Sequence, residues 1–458
     1  MRKILFFIAA ALLLLTSCTK KDASSALPRQ VDALAVLHMA DLYEKAEIDQ
    51  TLLGQLGDDW RSILENPSET GIDWKSPLYL YMTDNTQGLV ASVSSDKKLS
   101  QCLMQFGFQV SESDDYTWAS NGSYLLGYNH SVLVGNTIYG DEKLFRQRIR
   151  KQLEQDEDRS FSTTEEYAEL MSKNTDVATY FPAGLVMNLL KTSFPAFPDV
   201  DFEDVNCLLT LQFDKGLLTS GIQLIGSSPE ATEALDLLKS SLSPVQGTFV
   251  NRVPAGTSVF CTLGTHGQQL LKLIQQHKGI GMLLTLVSQS VPVDELLTSQ
   301  QGDVAAFMTG ENTLIFAQMN DTQLLENEKI WTDRGREYGI RSNGNSQYSM
   351  AMEDGSLYFG AQDKYLYLTT SMSLLQNSDY NVDIQSLNNQ IAGSYGYIWL
   401  DVKQLLQNQH VSLGYHPNVS WVKQLSVRFT SPEQYELQLV STDDNVNILK
   451  TILQCIRP

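Results

Sequence analysis

Cysteine is scarce in this sequence, with five residues among 458. The first, Cys18, ends an apolar segment, and the other four are spread over the rest of the chain at spacings that match neither a zinc site nor a thioredoxin-like pair. Two alternatives remain open for these four. They pair as disulfides, which an exported protein permits, or they are free buried thiols, the commoner use in a chain of this size. The four are Cys102, Cys207, Cys261 and Cys455.

Long hydrophobic runs are also missing, apart from one near the beginning of the chain. The apolar segment from Ile4 to Leu15 follows the cations Arg2 and Lys3, which is the pattern of a secretory signal peptide. As a helix, such a segment reaches about 18 Å, well short of the roughly 30 Å hydrocarbon core of a bilayer. The sequence therefore predicts an export signal at residues 1–17 rather than a transmembrane anchor.

The signal ends directly before a cysteine. Leu15-Thr16-Ser17-Cys18 resembles the bacterial lipobox, in which small residues precede a cysteine that becomes the first residue of the mature protein. The resemblance implies diacylglycerol on the Cys18 sulfur and acylation of the new amino terminus, and several acyl chains together give stable anchoring. The alternative is an ordinary cleaved signal followed by an incidental cysteine.

The residues after Cys18 indicate where the anchored protein goes. Thr19 stands where an aspartate would be the usual inner-membrane retention signal, so we expect the outer membrane as the destination. Lys20-Lys21-Asp22 partly resembles the surface-export signal of Bacteroidetes-type lipoproteins, which favours the outer face over the periplasmic face. Residues 18–27 are expected to form a short tether.

Basic residues are fewer than acidic ones: the sequence has 33 Lys and Arg and 53 Asp and Glu, which gives a net charge of −20. Such a surface repels phosphate backbones, which disfavours nucleic-acid binding. With 42% hydrophobic residues and 13 prolines, the chain is globular rather than disordered. Its length exceeds what one hydrophobic core usually serves, so we expect two or more domains.

Motifs of catalysis and cofactor binding are absent from the sequence as well. It contains no phosphate-binding loop, no His-Glu-x-x-His and no Gly-x-Ser-x-Gly elbow, and its six histidines never have the spacing of ligands on one helix. One acidic run resembles a calcium loop, although it lacks the usual glycine and closing glutamate. Its residues Asp199, Asp201 and Glu203 are therefore weak metal candidates, with a solvated loop as the alternative. We expect no cofactor.

Tryptophan offers a further candidate surface. Trp60, Trp74 and Trp331 lie in or near polar stretches of the sequence. If exposed, their rings would suit a glycan, and the alternative is that they lie half-buried under loops.

Two parts of the chain resemble one another. NGSYLLG at 121–127 and DGSLYFG at 354–360 form the most specific pair, and weaker matches continue in the same order on either side. We therefore predict a tandem duplication, with one copy at 28–245, a second copy at 254–458 and a linker at 246–253. Each copy is long enough to hold its own core.

The hydrophobic pattern within each copy predicts an α+β fold. Residues 205–213 alternate between apolar and polar, a turn follows at Asp214-Lys215-Gly216, and a second strand returns to Ile225. Ser228-Pro229-Glu230 has the pattern of a helix start. We predict mainly antiparallel sheets with helices packed on one face. Asn121-Gly122 and its counterpart in the second copy are expected to form type I′ hairpin turns.

The stretch LPRQVDALAVLHMADLYEKAEI at 27–48 resembles the start of a family of uncharacterised Bacteroidetes-type lipoproteins, a domain of unknown function. The features shared with that family are Pro28, Asp32-Ala33, the alternating strand from Ala35 to Met39, and Lys45-Ala46. The resemblance implies an envelope location. It implies no reaction and transfers no catalytic residue.

These features predict a non-enzymatic lipoprotein that acts as a binding or assembly module at the outer membrane. Its partners would be the lipid bilayer, through acylated Cys18, and an envelope protein or glycan. The positions shared by the two copies are apolar strand residues, turn glycines and helix caps, which favours this interpretation over catalysis. The alternative is a hydrolase with its site in a cleft between the copies.

Overall fold

The computed structural model describes residues 22–55, 58–83, 86–113, 115–184, 204–276, 282, 284–285, 288, 292–353, 355–376, 379–407 and 419–455. The chain divides into two compact units, the first ending at Phe181 and the second beginning at Pro182. Each unit combines antiparallel strands with helices, so the α+β prediction is confirmed. Within the described residues, no helix has both the length and the apolar character needed to cross a membrane.

Among the described residues of the first unit, eight antiparallel strands form its sheet. They are β1 (Ala33–Leu37), β2 (Leu78–Thr83), β3 (Thr86–Ser92), β4 (Gln109–Ser113), β5 (Tyr116–Ser120), β6 (Tyr124–Tyr128), β7 (Val132–Thr137) and β8 (Val177–Pro182). Along the sheet their order is β8-β1-β2-β3-β7-β6-β5-β4.

The helices of the first unit are short, with one exception. They are α1 (Met39–Ala46), α2 (Gln50–Gln55), α3 (Asp58–Glu65), α4 (Asp96–Gln105), α5 (Glu142–Glu154) and α6 (Glu165–Ser172). The longest, α5, begins where the Asp141 side chain accepts a hydrogen bond from the Lys143 backbone N–H at 3.0 Å. Its buried residues recur every four positions, at Phe145, Ile149 and Leu153, and the helix lies against β6 and β7.

The chain joins the first unit earlier than the sequence indicates. Ala23–Ala26 forms a buried 3-10 turn, and Leu27 is also fully buried. The Gln155 side-chain amide, next to the end of α5, donates to the backbone oxygens of Ser25 and Leu27 at 2.7 and 2.6 Å. Residues 23–27, expected in the tether, are therefore folded, because small side chains fit the site and neighbouring donors satisfy their carbonyls.

The sheet of the second unit is larger. Its strands are β9 (Val205–Asp214), β10 (Leu217–Gly226), β11 (Leu242–Ser243), β12 (Thr257–His266), β13 (Gln300–Thr309), β14 (Asn312–Met319), β15 (Arg341–Gly344), β16 (Gln347–Met352), β17 (Gly355–Gln362), β18 (Tyr365–Thr369), β19 (Gly396–Asp401), β20 (Val422–Ser431) and β21 (Gln434–Ser441). The order is β9-β10-β21-β20-β19-β12-β13-β14-β18-β17-β16-β15, with β11 paired to the end of β12. From β19 to β15 this order repeats that of β8 to β4.

The helices of the second unit are α7 (Pro229–Ser241), α8 (Gly267–Gln276), α9 (Val293–Ser299), α10 (Gln323–Glu326), α11 (Met372–Leu375), α12 (Val382–Ser386), α13 (Asn388–Ile391), α14 (Val402–Gln407) and α15 (Ile448–Cys455). Helix α7 begins as predicted, because the Ser228 hydroxyl accepts the Ala231 N–H at 3.1 Å and Pro229 occupies the first turn. The predicted hairpin of β9 and β10 is also confirmed.

Strand β10 also pairs with β21, and this pairing places β9 and β10 in the second unit. The sequence assigns the same residues to the first copy, so the compact units and the predicted copies divide the chain at different points. The copy boundaries stay a prediction.

The predicted linker at 246–253 contributes three residues to the core of the second unit. Phe249, Val250 and Val253 are buried in one cluster with Phe260 and Phe307. Turn-forming residues in this stretch indicate a change of chain direction, but they carry no information on burial. The segment is therefore an integral part of the core.

The two stretches that suggested a duplication each lie in a hairpin. The first contains the turn between β5 and β6. Residues 355–360 of the second lie in β17, which pairs with β16, and Asp354 lies outside the described residues. The Asn121 side chain accepts the backbone N–H groups of Ser123 and Tyr124, and only Gly122 of the first turn has a positive φ, +87°. A type I′ turn needs positive φ at both central residues. The type I′ prediction is therefore wrong for this turn, which is closed by the asparagine side chain.

Four cysteines of the described residues are free thiols: Cys102, Cys207, Cys261 and Cys455. Cys207 is buried in β9, and this burial raises the pKa of its thiol to about 11. Burial also raises the pKa of Cys102 and Cys261. These thiols are accordingly poor nucleophiles.

We expect Cys207 to react with a disulfide reagent such as Ellman's reagent roughly a hundredfold more slowly in the native protein than in urea at pH 8. The raised pKa leaves only about one thiol in a thousand ionised at this pH, and burial restricts access further. Mass spectrometry of the labelled peptides would identify the residue. Failure to label Cys207 in urea without reductant would show a disulfide instead, and rapid native labelling would contradict its burial.

Candidate functional site

The site residues predicted from sequence lie outside the described residues. This applies to the lipidation candidate Cys18 and to the metal candidates Asp199, Asp201 and Glu203. In the part of the chain that is described, no three His, Cys, Asp or Glu side chains are grouped in a way that could hold a metal ion.

Two of the three candidate tryptophans have described side chains, and neither is an exposed platform. Trp331 is 2% exposed, and its indole N–H donates to the Leu324 carbonyl at 2.9 Å. Trp74 is half-buried and donates to the Thr70 hydroxyl at 3.1 Å, with Tyr43 packed edge-on against its ring. Trp331 therefore belongs to the interior, where it lines a pocket.

This pocket lies on one face of the second unit's sheet. Val304 on β13 is opposite Ala317 on β14, which is opposite Leu366 on β18, so the three side chains form a row across neighbouring strands. The residues that follow Val304 and Leu366 point to the other face and are buried in the core there. The sheet is thus apolar on both faces, with the core on one and the pocket on the other.

Helices and a short helical turn close the pocket over this row. Leu270 comes from α8 and Leu296 from α9, and both helices lie against β13. Trp331 approaches from the turn Ile330–Arg334, with its ring 5.1 Å from that of Phe359 on β17. The pocket has a volume of about 610 Å³.

The pocket wall exposes only apolar atoms. The one amide among its lining residues, Gln300, is turned to other partners: its oxygen accepts from the Thr265 hydroxyl at 2.7 Å, and its nitrogen donates to the Gly302 carbonyl at 3.0 Å. Tyr338 is 45% exposed and borders the solvent side. A ligand would therefore find no hydrogen-bond partner inside the pocket.

Such a pocket suits one kind of chemistry. Ligand pockets commonly measure 300–1,000 Å³ and combine apolar walls with a few polar groups that fix orientation. This pocket has the size without the polar groups, so it can take an apolar chain and cannot hold a polar reacting centre. The sequence motifs considered above are those of reactive side chains, and this pocket has none. The sequence signal that was available for the pocket is the near-continuous apolar run in β13 and β18.

Solved structures offer little guidance on this site. Crystal form I of TP0453 has a TM-score of 0.30 at 10% sequence identity, covering 44% of this chain and 78% of that one. Crystal form III has a TM-score of 0.30 at 9% identity, covering 48% and 87%. None of the curated proteins matches the chain.

The family comparison gives a broader match. The family model described as "Domain of unknown function (DUF4836)" matches residues 45–426. The matched range includes every residue named above as lining the pocket.

Proposed function

We propose that this chain, which belongs to the DUF4836 family of unknown function, is a lipid-anchored, non-enzymatic binding protein of the outer membrane that holds an acyl chain in its second unit. The apolar pocket carries the proposal, because its wall offers an apolar ligand an entirely apolar contact surface and offers a polar ligand no hydrogen-bond partner. An envelope protein would meet such ligands in the membrane to which it is anchored.

The anchoring part of the proposal is supported by the sequence around Cys18. The signal peptide and lipobox resemblance agree in position, and the described part of the chain begins at Asp22, four residues later. The first unit would accordingly sit close to the membrane surface, with Thr19 and Lys20-Lys21-Asp22 favouring the outer membrane and its outer face.

Simple energetics indicate what the pocket could hold. Burying about fourteen methylene groups gains about 11 kcal/mol, and association costs at least about 4 kcal/mol. The remainder corresponds to a dissociation constant on the order of 10 μM. The head group would stay at the solvent side, near Tyr338, because the wall has no partner for it.

We also infer that the chain arose by tandem duplication. The repeated strand order, from β8 to β4 and from β19 to β15, supports this inference.

Binding of cis-parinaric acid, a naturally fluorescent fatty acid, tests the acyl-chain site. We expect the wild-type protein to bind it with a dissociation constant on the order of 10 μM, and Ala317→Phe to weaken binding at least tenfold. Ala317 lies in the row of side chains beneath the pocket, so a phenyl ring there would occupy the space of the ligand.

Ala306→Phe is the matched control. Ala306 is also half-buried and lies two residues from Val304 on the same face of β13, but outside the pocket lining. It should bind the probe like wild type, with both variants keeping the wild-type circular dichroism spectrum. Equal binding by all three proteins would place the acyl chain elsewhere, and lack of binding by folded wild-type protein would refute the proposed ligand.

A further inference from the structure

We propose that a basic groove along α5 of the first unit binds the phosphate head groups of the bilayer in which the chain is anchored. This inference rests on the proposed lipid anchor at Cys18, and it adds a second contact with the membrane. It would fix the orientation of the first unit on the bilayer surface.

The groove is concave and carries several cations. It has a volume of about 950 Å³, and its cations are Arg29, Arg148, Arg150, Lys151 and Arg159. Arg29 is held in place by neutral oxygens, because its guanidinium donates to the Ser160 carbonyl at 3.0 Å and to the Thr163 hydroxyl at 2.6 Å. Its charge therefore remains available to an anion.

The solvent-facing side of α5 has the composition of a membrane-surface helix. Arg148 and Lys151 are exposed on it, and Leu144, one turn before Arg148, is 57% exposed. Tyr139, just before the helix, is 56% exposed. Exposed cations beside exposed apolar side chains are typical of segments that lie in the head-group region of a bilayer.

The buried segment at 23–27 lies beside this groove and only a few residues after the proposed anchor. The Gln155 side chain, which lines the groove, donates to the Ser25 carbonyl at 2.7 Å. Seven residues separate Ser25 from Cys18 along the chain, and seven residues reach at most about 25 Å when fully extended. Acylated Cys18 would therefore keep the groove within that distance of the bilayer surface.

Charge also selects this surface. The chain as a whole carries a net charge of −20 and is repelled by anionic head groups. The groove has five cations against three carboxylates, those of Glu154, Asp156 and Asp158. The local excess of cations among the lining residues would attract an anionic surface to the groove, within a Debye length of about 8 Å at physiological salt.

Vesicle binding by the polypeptide that begins at Thr19 tests the groove without the acyl anchor. We expect this chain to bind vesicles of phosphatidylcholine with phosphatidylglycerol at least tenfold more tightly than vesicles of phosphatidylcholine alone. The combined variant Arg148→Gln, Lys151→Gln and Arg159→Gln should lose at least tenfold of its affinity for the anionic vesicles. Each cation near such a surface contributes a factor of about five.

The matched control removes three exposed lysines of the second unit, with the changes Lys215→Gln, Lys364→Gln and Lys423→Gln. It has the same net charge as the groove variant and should bind like wild type. If both variants lost the same affinity for anionic vesicles, or if the wild-type chain showed no preference for anionic vesicles, the proposal would be overturned. Displacement by inorganic phosphate at matched ionic strength would also overturn it, because the groove would then bind free anions. The polypeptide lacks the acyl anchor, and both kinds of vesicle offer the pocket the same acyl chains, so failure of this assay is distinct from failure of the anchor or of the pocket.

Discussion

The Cys18→Ala variant is expected to lose incorporation of an alkyne-labelled palmitate completely, whereas the wild-type chain is labelled in growing cells. The diacylglycerol and the amide-linked acyl chain would both be attached at this residue, so one substitution removes every site of attachment. Each buried methylene of an acyl chain contributes about 0.8 kcal/mol to membrane partitioning. The loss should therefore also change where the protein is found.

Fractionation measures that second effect. A chain that begins at Thr19 behind a conventional cleavable signal avoids retention of the uncleaved precursor. We expect it in the aqueous phase of a detergent partition, and the wild-type protein in the detergent phase. Cys102→Ala is the matched control, because Cys102 is a half-buried free thiol of the first unit and its removal should leave labelling and partition unchanged. Palmitate on the Cys18→Ala variant would refute lipidation at this residue.

Local sequence patterns predicted the elements whose structure is determined locally. The alternation of residues 205–213 predicted β9, and Ser228-Pro229 predicted the start of α7, because strand burial and helix capping depend on residues close in sequence. The hairpin around Asn121 was predicted for the same reason. The type of this turn was not predicted, because the Asn121 side chain closes the turn by accepting hydrogen bonds and the backbone does not have the expected type I′ geometry.

Features that depend on distant contacts were not predicted. The pocket brings together residues from many elements, from α8 to β18, and each element taken alone has the sequence of ordinary core. The segments at 23–27 and 246–253 were interpreted as a tether and a linker because their residues favour turns. Both are folded, since partners far along the chain satisfy their backbone groups: Gln155 in the first case and Asp303 in the second.

The Asp303→Ala variant should therefore destabilise the second unit by about 3–5 kcal/mol. Asp303 is fully buried, and its carboxylate accepts the backbone N–H groups of Gln246 and Thr248, both at 2.8 Å. Alanine would remove the charged acceptor of both N–H groups beside the core residue Phe249. Urea unfolding followed by circular dichroism would measure the loss, and amide hydrogen exchange of residues 246–253 would locate it.

Two further variants separate the proposed cause from a general effect of removing an aspartate. Asp321→Ala removes an exposed carboxylate that accepts the Gln323 N–H, and it should cost no more than about 1 kcal/mol. Asp303→Asn keeps the shape but turns an amide N–H₂ towards one of the two donors, so it should cost about 2 kcal/mol. If amide hydrogen exchange of residues 246–253 were unchanged in the Asp303→Ala variant, contacts other than those of Asp303 would hold this segment in place. Because the carboxylate joins β13 to the segment that enters β12, its loss should affect the whole unit rather than one loop.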